Sequence, residues 1–315
     1  MKTPAFRHVL VTGGAGFIGL HVVNRLVAAG CRVSIIDDLS NGPRENVNSA
    51  AELIIGDVGD AALLREAVAR ADACVHLAAI ASVQRAREDP TDAHRVNQSA
   101  FVGLLDAIAT RPGGVIPVVY ASSAAVYGAV APCPIAEDGP VRPLSAYGAD
   151  KRGCELHAAA AGVVDGIPSF GLRFFNVYGP LQRPDSPYSG VISIFADRLS
   201  RGETLTIHGD GGQTRDFVHV DDVVTAIVAA LDLASPEAPV CNVGTGVETS
   251  ILGLAAIIGG IFGVQPAFRF APARDGDIRR SVADLSRMHA ILGRAPPIAI
   301  DAGLRRLIKG SKVPE

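Results

Sequence analysis

HVLVTGGAGFIG, residues 8–19, is the stretch on which the fold turns. His8 to Thr12 is a short run suited to a strand buried on both faces, and it feeds directly into Gly13, Gly16 and Gly19. Beyond the turn, apolar residues recur at helical spacing through Phe17, Val22, Val23, Leu26 and Val27, until Gly30 ends the helix. Arg32 to Ile36 is strand-like again and stops at Asp37. This is a βαβ unit with a glycine-rich first turn and an acidic residue closing its second strand. Glycines there let the backbone approach a pyrophosphate, the helix N-terminus supplies N–H donors, and Asp37 accepts bonds from both adenosine ribose hydroxyls. A carboxylate in that place repels a 2′-phosphate, and no arginine follows Asp37 immediately, so the reading is NAD rather than NADP.

The alternation continues downstream. Glu52 to Ile55 ends in Gly56 and Asp57, an alanine-rich helix covers Ala61 to Arg70, and Ala73 to Leu77 leads into Ala78 and Ala79. Asp57 is placed either to bond an adenine edge or to occupy an ordinary surface turn. The small Ala78 and Ala79 let the backbone pass close to a cofactor. A helix is expected over Pro90 to Thr110, containing Asn97, then a strand over Val115 to Ala121 whose end carries Ser122 and Ser123. After a proline-bearing loop, Ala129 to Pro143, come a helix opening near Tyr147 and a strand over Ser169 to Phe174. Strands alternating with helices predict an α/β fold, a Rossmann-type doubly wound parallel sheet with ligands at the carboxyl ends of its strands.

Residues 1–175 are therefore expected to form the NAD-binding domain, with return segments near 216–243. Residues 176–315 form mainly a smaller, discontinuous C-terminal substrate lobe, opened by Pro180, Pro184 and Pro187. Lys309 to Glu315 reads as a frayed tail.

Composition bounds the partners. The 315 residues, 48% of them hydrophobic, suffice for a sizeable core. A formal net charge of -3 gives no general attraction for nucleic acid or an anionic membrane, so an anionic ligand must be held by a few local cations. Five scattered cysteines without a CxxC pair, no window of about 18 apolar residues and no room for a signal peptide before the glycine turn predict a reduced, cytoplasmic protein without a metal site.

SAYGADK, residues 145–151, carries the chemistry. Tyr147 and Lys151 lie four apart at the start of a helix and so share one face, following Ser123 on a strand end of the same sheet. TGGAGFIG, YASSAAVYG, YGADK, RFFNVYGP, TRDFVHVDDV and NVGTG occur in this order over nearly the whole chain. The set resembles the extended short-chain dehydrogenase/reductases, and within them the nucleotide-sugar 4-epimerases of the UDP-glucose and UDP-N-acetylglucosamine type.

The resemblance implies that Tyr147 removes the proton of the sugar 4-hydroxyl while hydride leaves the same carbon for NAD. An ordinary phenol titrates near 10, and a neighbouring cation favours phenolate by about 1 to 3 units, which is the part Lys151 would play. Ser123, or less favourably Ser122, would bond the reacting oxygen. Dehydratases and decarboxylases of the superfamily carry an acidic residue beside that serine, whereas this chain has Ala124 and Ala125, which favours epimerisation.

By the same resemblance the cofactor-binding residues are Gly13, Gly16, Phe17, Ile18, Gly19, Asp37, Asn41, Gly42, Asp57, Val58, Leu77, Ala78 and Ala79, together with Tyr147 and Lys151. The substrate side takes Ser82, Arg85, Ser123, Asn176, Val191, Thr206, His208, Arg215, Arg274, Asp277 and Ser281. Arg215 and Arg274 would bind the diphosphate of a UDP-sugar, Asn176 a phosphate, and Asp277 the uridine ribose. Glucose-restricted relatives carry a bulky tyrosine four residues after the aspartate of the Arg-x-Gly-Asp element. Ser281 stands there, leaving space for an N-acetyl group, and Ser82 and Arg85 also resemble the N-acetyl-accepting group. UDP-GlcNAc and UDP-GalNAc are the expected pair, with UDP-Glc and UDP-Gal also accepted. A UDP-uronic-acid 4-epimerase and a catalytically silent NAD-binding regulatory protein are the alternatives. Relatives dimerise through paired helices, here those near 92–110 and 147–162, so a homodimer is expected. Supply of sugars for polysaccharide biosynthesis is the expected context.

Overall fold

The computed structural model describes residues 6–129, 132–182, 190–273, 276–293 and 297–310. Through the first half of the chain its strands are β1 (His8–Thr12), β2 (Arg32–Asp37), β3 (Glu52–Ile55), β4 (Ala73–His76), β5 (Val118–Ser123) and β6 (Ser169–Phe174). Then follow β7 (Asn176–Tyr178), β8 (Leu205–His208), β9 (Thr214–His219), β10 (Val240–Val243), β11 (Glu248–Ser250), β12 (Phe268–Ala271) and β13 (Arg280–Ser281).

Seven strands form the main sheet in the order β10-β6-β5-β4-β1-β2-β3. β1 lies between β2 and β4, parallel to both, with Val9 opposite Val33 and Ala73. Every residue of β1 is buried, as a strand covered by helices on both faces requires. The crossover helix α1 (Phe17–Ala28) buries Gly19, Leu20, Val22, Val23 and Leu26, the stripe expected from the sequence. This is the predicted Rossmann-type parallel sheet.

Two boundaries differ from expectation. The strand expected from Val115 begins at Val118, because Pro117 has no N–H to donate to a ladder; its carbonyl accepts from Cys74 N at 2.9 Å. After α2 (Ala61–Arg70) and α3 (Val83–Glu88), the helix expected over 90–110 is divided. It runs as α4 (Pro90–His94), a π turn at Arg95–Ser99, and α5 (Ala100–Ala109). The π turn carries Asn97, whose buried amide accepts from Ile80 N (2.7 Å) and donates to Ile80 O (3.2 Å). Such turns recur at functional sites, and this one clamps the loop leaving β4.

The chain divides into two compact units. The first comprises Met1–Val126, Ser145–Arg173 and Val224–Cys241, and includes α6 (Ala146–Asp165). Its core packs Leu10, Leu64, Phe101, Leu104, Tyr120 and Ala158. The second comprises Tyr127–Leu144, Phe174–Val223 and Asn242–Glu315. There β7, β9, β11 and β13 form a small sheet, β8 and β12 pair in parallel, and α7 (Val191–Ser200) contributes Phe195 and Leu199 to the core. The chain passes between units within α8 (Val220–Leu231), and α9 (Ile251–Phe262) supplies Leu254 and Ile258 to the second core. No helix among the described residues is long and apolar enough to cross a membrane.

Candidate active site

In the first unit the glycine turn is packed to a degree that admits no side chain. Gly13 has φ +69°, and a Cβ on it would lie 2.6 Å from Ala78 N; one on Gly19 would lie 2.1 Å from Gly13 O. The turn thus sits tightly on itself and on the chain leaving β4. Helix α1 starts with Gly16 as its N-cap, with no capping side chain and no acid in its first turn. Its leading N–H groups therefore lack the internal acceptors a capped helix would have, which suits a pyrophosphate. Phe17 and Ile18 form that first turn, Phe17 packing edge-on against His21.

Asp37 ends β2 and accepts from Ala15 N and Leu39 N, each at 2.9 Å. Burial pushes its carboxyl above the usual range, and the N–H groups of Leu39, Ala15 and Gly16 oppose that. A carboxylate has about four acceptor sites, so capacity remains for a ribose hydroxyl. Asn41 and Gly42 follow, and a Cβ on Gly42 would meet Ala15 O at 1.9 Å. Asp57 accepts from Gly59 N and from Arg95, both at 2.7 Å, so an ion pair anchors it beside the buried Val58. Leu77 N and Ala78 N both donate to Thr12, and Ala79 precedes the Ile80 held by Asn97. These residues fit a dinucleotide.

Ser145 caps α6 by accepting from Gly148 N at 3.1 Å, so Tyr147 and Lys151 fall on the first two turns of the helix. Tyr147 is partly exposed, Lys151 is 2% exposed, and its Nζ lies 5.8 Å from the Tyr147 ring centroid. Ser123 ends β5, partly exposed, accepting from Ala125 N at 3.1 Å. Ser122 faces the other way, as consecutive strand residues must, and is 1% exposed. Its hydroxyl donates to Glu155 Oε1 at 2.6 Å, so its one proton is spent inside the unit. Ser82 caps α3 by accepting from Arg85 N, and the Arg85 guanidinium lies 3.8 Å from Asp92.

In the second unit most of the expected substrate residues gather around the ends of β8, β9 and β13. Arg215 Nη1 donates to Ile278 O (2.6 Å) and Thr214 O (2.7 Å), and Nη2 bonds the Asp277 carboxylate. Ser281 lies opposite Arg215 in register and is 8% exposed, on a strand rather than in an open turn. Gln213 donates to His208 O at 2.8 Å and approaches Asp277. His208 Nδ1 donates to Pro272 O, and Thr206 Oγ accepts from Arg198 and Arg269. Asn176 opens β7 on the solvent-exposed side, and Val191 opens α7. Arg274 lies outside the described residues.

Sequence reasoning passed over Glu155, Arg173, Gln213 and Asp216. Glu155 was findable, lying at the i+4 position after Lys151. So was Arg173, the one charged residue of the SFGLRF strand. Asp216 is fully buried and accepts from Thr245 N, Thr245 Oγ, Gly246 N and Ala283 N, a role no local pattern announces.

The glycine turn, the acid that ends β2 and the helix bearing Tyr147 and Lys151, around one parallel sheet, define a dinucleotide-dependent enzyme of the short-chain dehydrogenase/reductase class. The model of the NAD dependent epimerase/dehydratase family matches residues 9–244. The chain is 40% identical over 309 residues to a UDP-glucose 4-epimerase of Mycolicibacterium smegmatis, covering 95% of this chain and 97% of the relative. A UDP-glucose 4-epimerase of Thermotoga maritima, solved with UDP-glucose, superposes with a TM-score of 0.91 at 34% identity, covering 96% and 98% of the two chains. A UDP-N-acetylglucosamine 4-epimerase of Methanobrevibacter ruminantium, solved with UDP-N-acetylmuramic acid, gives 0.90 at 34% identity, covering 96% and 97%. The chain belongs to the NAD dependent epimerase/dehydratase family, as an extended nucleotide-sugar epimerase whose cofactor is NAD.

Proposed function

We propose that the enzyme interconverts the C4 epimers of a UDP-hexose, acting on UDP-GlcNAc and UDP-GalNAc and also accepting UDP-Glc and UDP-Gal. The observation that carries the N-acetyl assignment is Ser281, a small buried residue held on β13 opposite Arg215, where a tyrosine would fill the space beside C2 of the sugar. The similarity to a UDP-glucose 4-epimerase supports acceptance of the unacetylated pair.

In this reading the first unit binds NAD through Gly13, Gly16, Phe17, Ile18, Gly19, Asp37 and the neighbouring backbone. When bound there, NAD would supply the hydride acceptor and donor for C4 of the sugar. Tyr147 takes the 4-hydroxyl proton as a phenolate, holds it, and gives it back to the same oxygen. Lys151, buried beside that ring, stabilises the phenolate, since a cation in a dry site acts more strongly than in water. Ser123, the only one of the two strand-end serines whose hydroxyl is not given to Glu155, orients the reacting oxygen. Arg215 serves the diphosphate and Asp277 the ribose, with Asn176, Thr206, His208 and Val191 around the nucleotide and Ser82 and Arg85 near the sugar. The enzyme acts as a homodimer through α6, where Leu156, Val163 and Val164 are exposed apolar residues.

Purified enzyme assayed side by side on UDP-GlcNAc, UDP-Glc and UDP-glucuronate tests the substrate. Turnover of both hexose pairs without net NADH supports the proposal, whereas activity confined to UDP-Glc or to the uronate overturns it. Ser281→Tyr should lower turnover of UDP-GlcNAc about tenfold or more relative to that of UDP-Glc, a misfit of one group in a pocket being worth about 1–3 kcal/mol. Tyr147→Phe should keep NAD and lose nearly all turnover.

A further inference from the structure

Glu155 lies one helical turn beyond Lys151 and two beyond Tyr147, on the same stripe of α6. Its carboxylate is buried and accepts four hydrogen bonds. Ser122 Oγ (2.6 Å) and Arg173 Nε (2.7 Å) reach Oε1; Arg173 Nη2 and Arg152 Nη1 (both 2.8 Å) reach Oε2. Ser122 is the residue immediately before Ser123 on β5, and Arg173 lies on the neighbouring β6 and is 1% exposed. One acceptor-only group therefore joins the helix bearing Tyr147 and Lys151 to the strand bearing Ser123 and to the strand beside it. Burial pushes the Glu155 carboxyl up, but its bonds to Arg173, Ser122 and Arg152 outweigh that and leave it below the usual range, so it is ionised at working pH.

We propose that Glu155 is the positioning residue of this active site, fixing Tyr147, Lys151 and Ser123 relative to one another and holding Ser122 away from the substrate. A bidentate arginine fork bonds along two directions at once, and the Ser122 bond adds a third, so α6 can neither roll nor slide against β5 and β6. Near-attack geometry tolerates little misplacement, and a shift of about 1 Å costs roughly 100-fold in rate.

The proposal rests on the Tyr147 and Ser123 roles given above, and its test separates the two. In the NAD-loaded enzyme, Glu155→Gln should lower kcat 10- to 100-fold with the KM for UDP-sugar within about twofold. It also turns one net positive charge among Arg152, Arg173 and Glu155 into two. Eight residues along a helix span about 12 Å, so the acid limb of kcat/KM should move down by up to about one pH unit. A folding defect alone would lower the active fraction and leave that limb in place.

Ser122→Ala, which leaves the ion pair intact, should lower kcat about 3- to 10-fold, with no shift of the limb and circular dichroism unchanged. Wild-type kcat in both variants overturns the proposal, as does a fall in kcat of Glu155→Gln matched by its loss of folded fraction. Tyr147→Phe, run alongside, reports on the base: full activity there defeats the catalytic assignment whatever the Glu155 variant does.

Discussion

His76 offers a prediction whose size follows from its surroundings. It closes β4, is fully buried, and lies with Nδ1 2.8 Å from Thr12 Oγ; Nε2 has no hydrogen-bond partner among the described residues. Burial, with a smaller push from the positive Lys151, lowers its pKa from 6.5 to about 3. The imidazole is thus neutral in the fold, which leaves Lys151 the cation of that region. Unfolding frees the ring to bind a proton below about pH 6.5, while the folded state binds none until near pH 3, so the unfolded state gains protons and stability falls as pH falls through that window. At pH 5 the difference is 1.5 pH units below the unfolded value, or about 2 kcal/mol lost relative to pH 8. His8, whose pKa burial also lowers, adds a loss of the same sign, and the lowered carboxylate of Glu155 contributes only at more acid pH. Urea unfolding of wild type and His76→Gln at pH 8, 6.5 and 5 isolates the residue, because every other group cancels in the difference. Wild type should lose about 2 kcal/mol more than the variant between pH 8 and pH 5. Equal losses in the two chains would refute the reasoning.

Gly13→Ala should weaken NAD binding at least tenfold, since its Cβ would sit 2.6 Å from Ala78 N and the left-handed backbone costs roughly 1–2 kcal/mol besides; NAD retained through purification and a titration of the apoprotein read it, and wild-type affinity would contradict the packing described. Arg215→Ala should raise the dissociation constant of UDP about 10- to 100-fold, a charge-assisted hydrogen bond being worth about 1.5–3 kcal/mol. Calorimetric titration with UDP measures this directly, and an unchanged constant would remove Arg215 from the nucleotide site.

The glycine turn was legible because its features are local: a strand, three glycines at fixed spacing and a 3.6-residue period reinforce one another within 25 residues. Tyr147 and Lys151 were legible for the same reason. Ser122 and Ser123 were not distinguishable, since alternation along a strand sends them to opposite faces without saying which face is which. Glu155, 33 residues downstream, decides that by bonding Ser122. The burial of Ser281 was equally out of reach. Its flanks, DGDIRRSVAD, show no period of two, and β13 is only two residues long. It is ordered by pairing with β9, and a pairing over 60 residues of separation leaves no local trace. The π turn at Arg95–Ser99 escaped because one inserted residue barely disturbs a helical hydrophobic pattern.

Glu155 and Asp216 raise a common physical question, since each is a buried carboxylate and burying charge is expensive. A buried ion pair is often no more stable than well-packed apolar residues of the same volume, so stability alone does not account for either residue. Their placement does. Glu155 is one turn from Lys151 and bonds the neighbour of Ser123; Asp216 follows Arg215 on β9 and bonds Ala283 N, two residues beyond Ser281. In both units the carboxylate gathers donors from segments far apart in sequence: 122, 152 and 173 onto Glu155, and 245, 246 and 283 onto Asp216. An apolar side chain could fill either space, but dispersion contacts are non-directional and would leave those segments free to slide by fractions of an ångström. Hydrogen bonds to a carboxylate are directional and short, and each one fixes a backbone or side-chain position. The buried acids therefore supply geometry beside Lys151 and Ser123 in one unit and beside Arg215 and Ser281 in the other.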